Sequence, residues 1–93
     1  MLYLISYDLK SAESSGYEEF YKAISQISQR NRRVLESAWI VDTPANVRLN
    51  ASAITDMLLP YIKKGDYVFV SQITADRNGW LPTAVWEWMR HGY

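Results

Sequence analysis

Four sets of residues have types and spacing that bear on chemistry: the carboxylate of Asp8, the cluster Arg30, Arg32 and Arg33, the tryptophans Trp80, Trp86 and Trp88, and the single His91. Asp8 ends the apolar and aromatic stretch Leu2-Tyr3-Leu4-Ile5-Ser6-Tyr7. A carboxylate at a strand end reads in two ways. Brought beside its mate by a two-fold axis, it would hold Mg²⁺ or Mn²⁺, hard ions that take oxygen ligands, and the ion would polarise a phosphate and activate water. Standing alone, it closes a turn by accepting bonds from nearby backbone amides.

The three arginines would contact phosphates, giving affinity without sequence information, with Arg48 and Arg77 as possible extensions. The plainer reading is a solvated helix end that favours positive charge. Trp80, Trp86 and Trp88 would stack on bases, or pack beside Leu81, Val85 and Met89 onto a sheet or a partner protomer. His91 is expected to be exposed and not catalytic. There is no Ser-His-Asp set, no cysteine, no glycine-rich phosphate loop and no zinc spacing.

These residues need elements to position them. Tyr3, Ile5 and Tyr7 alternate with Leu4, Ser6 and Asp8, the pattern of a central strand covered on both faces. Ser15 and Glu18 suit a capping box for a helix whose stripe is Tyr17, Phe20, Ile24 and Ile27, ending over Gln29 to Arg33. Val34 to Val41 is the second β region; the stretch from Arg33 to Thr43 is one strand or two bent near Ser37. Asp42-Thr43-Pro44-Ala45-Asn46 has turn composition. A second helix is expected from about Leu49 or Asn50, capped by Asn50 or Ser52, with a kink or early end at Pro60. Tyr67 to Ile73 is the clearest strand. Pro82 suits the first position of a short helix with Val85, Trp86 and Met89 on one face.

The order predicts an α+β domain over residues 1–93: a ferredoxin-like βαββαβ arrangement with an antiparallel sheet, two helices on one face and a Trp-rich C-terminal extension over 79–93. The other sheet face would lack an intramolecular cover, so a homodimer through it is expected. Ninety-three residues leave little core, and without cysteine no disulfide supports it. Ten Lys and Arg balance ten Asp and Glu, which argues against tight non-specific nucleic-acid binding. No charged leader precedes an apolar run, and none approaches the roughly 18 residues of a membrane span. A soluble, cytoplasmic protein with no membrane partner is expected.

The strand end Tyr7-Asp8, the segment Ser37-Ala38-Trp39-Ile40-Val41, the turn Leu59-Pro60-Tyr61-Ile62 and the tail Gly79-Trp80-Leu81-Pro82 with Ala84, Trp86 and Trp88 resemble the SinR-like proteins. Those in turn look related to the small adaptation subunit of CRISPR systems. The resemblance implies a ferredoxin-like homodimer acting as a scaffold or binding module with DNA, RNA or a protein complex. For some members it implies a metal-dependent nuclease, in which Asp8 from both protomers would bind the ion. The chain departs from that pattern in lacking strong positive charge. A toxin-like ribonuclease of the VapD kind shares the general fold.

Overall fold

Residue alternation in the first strand sets the layers. A computed structural model describes residues 1–10 and 14–92, with the side chains of Ser14 and Ser15 outside the description. Strand β1 (Leu2–Asp8) pairs antiparallel with β3 (Ala38–Asp42) on one side and β4 (Tyr67–Ile73) on the other. Strand β2 (Arg30–Leu35) completes the order β2-β3-β1-β4. Helices α1 (Ser14–Ile27), α2 (Ala51–Leu58) and α3 (Thr83–Arg90) make this an α+β structure with a four-stranded antiparallel sheet, compatible with a small ferredoxin-like fold. No helix among the described residues is long and apolar enough to cross a membrane.

One face of β1 presents Tyr3, Ile5 and Tyr7 to the main core. There they meet Phe20, Ala23, Ile24 and Ile27 of α1, Ile54 and Leu58 of α2, and Val41 of β3. Burying side chains of this size stabilises by about 1.5–3 kcal/mol each, which makes this layer the principal support of the sheet. The Asn50 side chain caps α2, accepting the Ala53 N–H at 2.8 Å. Pro60 lacks an N–H, so α2 gives way to a single 3-10 turn over Leu59–Tyr61. The expected cap at Ser15 falls outside the described side chains.

Two expectations need correction, and one choice between alternatives is decided. Arg30 to Arg33 do not end α1; they form β2, paired antiparallel with β3, and that pairing lays Asn31 and Arg33 on one face and Arg30 and Arg32 on the other. The stretch from Arg33 to Thr43 is two strands, joined at Glu36-Ser37 and irregular between Arg33 and Leu35. The second sheet face is not bare. Val85 and Met89 of α3 are buried on it against Leu2 and Ile40, with Leu4, Val34, Ile73, Leu81, Trp86 and Trp88 around them. The cover extends over the half of the sheet that contains Leu2; among the described residues, none packs over the half that contains Asp8, Tyr67 and Phe69.

Candidate functional site

The open half-sheet is built by register. Asp8 lies opposite Tyr67 and Ser6 opposite Phe69, and directly paired residues project to the same face. Asp8, Ser6, Tyr67 and Phe69 therefore share the face that α3 leaves uncovered. Tyr67 is 70% exposed and Phe69 67%. Phenyl and phenol rings this exposed and two positions apart on one strand form an apolar shelf. Beside it lies a shallow depression of about 190 Å³ lined by Ser6, Asp8, Tyr67 and Phe69.

Asp8 also lines a larger cavity of about 480 Å³ around the end of β1, with Tyr7, Tyr17, Tyr21, Arg33 and Glu36. The tyrosines there are locked by their own hydrogen bonds. The Tyr7 hydroxyl stands 3.2 Å from that of Tyr21 and 3.3 Å from the Glu36 carbonyl, and it accepts the Trp39 indole N–H at 3.2 Å. Tyr17 donates to the Leu9 carbonyl at 2.9 Å. Burial, and next the bond with Tyr21, push the Tyr7 pKa up to about 12. Arg33 lies with its guanidinium 5.6 Å from the Tyr21 ring centre and donates to the Glu36 carbonyl.

Cations gather at this end of the sheet. Lys10 follows Asp8 by two positions, its ammonium 3.8 Å from the carboxylate. Lys63 and Lys64, both exposed, precede Tyr67 by a turn that Gly65 closes at a φ of 91°, a conformation glycine adopts without strain. The turn is fixed by Asp66, whose side chain accepts the Lys63 N–H at 3.1 Å.

The arginine cluster is divided between the two faces of the sheet. Arg30 turns inward: its Nε is 2.9 Å from Oδ2 of the buried Asp42, another of its nitrogens donates to the Trp88 carbonyl at 2.6 Å, and its guanidinium lies 4.6 Å from the Trp88 ring centre. Arg30 thus fastens α3 to the sheet edge. Arg32 shares its face, while Arg33 projects to the opposite one. Asp42, which turn composition placed outside the strand, is the last residue of β3, 1% exposed, with the Met1 amino group also 3.3 Å away. Trp86 and Trp88 are half-buried against the sheet, Trp80 is fully exposed, and His91 is exposed.

A divalent ion at Asp8 finds little support within one protomer. Among the described residues no group of three or more His, Asp or Glu side chains could hold a metal. Asp8 offers one carboxylate with an ammonium beside it, so a second protomer would have to bring its own Asp8. Sequence reasoning singled out Asp8 and missed Tyr67 and Phe69. The strand shows only two aromatics at alternate positions; that they lie opposite Ser6 and Asp8, the polar end of β1, shows once β1 and β4 are paired. No family model matches the chain, and no curated protein is significantly similar to it.

Proposed function

We propose that this protein is a small ferredoxin-like nucleic-acid-binding module that takes single-stranded RNA or DNA on the open half of its sheet. The observation that carries the reading is the exposure of Tyr67 and Phe69 side by side on a face that α3 otherwise covers. Unstacked bases pack on exposed aromatic rings whatever their sequence, and each such contact is worth about 1–3 kcal/mol. Lys10, Lys63 and Lys64 at the same end supply phosphate contacts. The balanced net charge suits this mode: affinity comes from stacking, with a modest electrostatic share, and duplexes, whose bases are hidden, bind poorly.

The test is a titration of fluorescent single-stranded and duplex oligonucleotides, read by anisotropy. The reading expects single strands to bind and Tyr67→Ala or Phe69→Ala to weaken them roughly 5- to 150-fold, the equivalent of about 1–3 kcal/mol. Equal binding by both variants and the native chain would refute it. The same samples separate binding from catalysis. Cleavage that requires Mg²⁺ or Mn²⁺ and is lost in Asp8→Asn would replace this reading with a metal-dependent phosphodiesterase.

A further inference from the structure

The two edges of the sheet differ in a way that points to a partner. An unpaired edge strand is a template for another strand, and proteins commonly guard such edges with charge, bulges or proline. Strand β2, at one edge, carries Arg30, Arg32 and Arg33 and an irregularity between Arg33 and Leu35. Strand β4, at the other, has none of these. Its seven residues, Tyr-Val-Phe-Val-Ser-Gln-Ile, contain no charge and no proline, and their register with β1 is unbroken. Among the described residues no loop backbone bonds to it.

We infer that the outer edge of β4 pairs with the β4 of a second copy of this chain. A two-fold axis normal to the sheet at Val70 places all seven residues in antiparallel register, with Val68 opposite Gln72 and Phe69 opposite Ser71 of the second copy. No like charges meet along the seam, because the seven residues carry none, and the chain turns at Lys63–Asp66 just before it. The two four-stranded sheets become one, and both pairs of Tyr67 and Phe69 lie on the same side of it. Strand spacings of about 4.8 Å and a rise of about 3.4 Å per residue hold the two Asp8 carboxyls roughly 25 Å apart, too far to share an ion.

The test needs no nucleic acid, so it stands or falls separately from the binding proposal. Light scattering on a sizing column should give twice the chain mass of 10.8 kDa, and Ser71→Lys with Gln72→Lys should shift the protein to monomer while its circular dichroism is unchanged. The chain has no cysteine, so single Cys variants report neighbours directly. With a short bismaleimide, Val70→Cys should cross-link to itself at least tenfold faster than the exposed Ser25→Cys on α1, and Val68→Cys should cross-link to Gln72→Cys when the two are mixed. A native chain that remains monomeric at high micromolar concentration, or a dimer in which position 70 cross-links no faster than position 25, would overturn the inference.

Discussion

Asp8 and Tyr67 are register partners across β1 and β4, so a carboxylate and an exposed phenol stand side by side at the open end of the sheet. A carboxylate there repels the phosphates of a strand stacked on Tyr67. Replacing it with the neutral Asp8→Asn should strengthen oligonucleotide binding about two- to fivefold at low salt, with the gain fading as salt rises. Anisotropy titrations at two ionic strengths measure this. A loss of binding in Asp8→Asn would mean that the carboxylate itself takes part in the contact.

Arg30 and Asp42 hold α3 in place. Arg30→Ala leaves the buried Asp42 without its guanidinium and removes the bond to the Trp88 carbonyl. The expected cost is about 2–3 kcal/mol, below the full value for a buried pair because Arg30 is a quarter exposed. Arg32→Ala and Arg33→Ala should each cost less than about 1 kcal/mol. Urea unfolding of the three variants checks the ranking, and equal destabilisation by all three would contradict the structural role given to Arg30.

Tyr7 makes stability depend on alkaline pH. Its folded pKa, near 12, lies above the ordinary value of 10.0, so its contribution is fully present below about pH 10 and is lost as pH rises toward 12. A shift of this size is worth roughly 2 kcal/mol at most, because the Tyr7 hydroxyl borders an open cavity whose water screens its charge. Thermal unfolding from pH 9 to 12 should show the fall, and Tyr7→Phe should flatten it. A native profile no steeper than that of Tyr7→Phe would remove Tyr7 as the cause.

The α2 cap offers a local check. Asn50→Ala removes the acceptor for the Ala53 N–H and should lower stability by about 1 kcal/mol, seen as a shift in the urea midpoint with an unchanged slope.

Much of the fold was legible because periodicity is local. The alternation in Leu2–Asp8, the stripe Phe20-Ile24-Ile27, the Asn50 cap and the stop at Pro60 each show within a few residues. The arginines misled for the same reason. Arg30-Asn31-Arg32-Arg33 looks like a charged helix end until β3 is beside it, and only that pairing shows that Arg30 meets Asp42 and Arg33 faces away. The open half-sheet was least legible. Tyr67 and Phe69 read only as part of the clearest strand, and their exposure follows from where α3 stops, a tertiary fact with no local mark.

The central claim, that nucleic acid binds on Tyr67 and Phe69, is tested most directly by amide and aromatic chemical shifts in the labelled protein during titration with a short single-stranded oligonucleotide. The account predicts shifts concentrated at Ser6, Asp8, Tyr67 and Phe69 and at the neighbouring Lys10, Lys63 and Lys64, with the exposed face of α2 silent. Shifts confined to α2, to the cavity beside Tyr17 and Tyr21, or to no residue at all would contradict it.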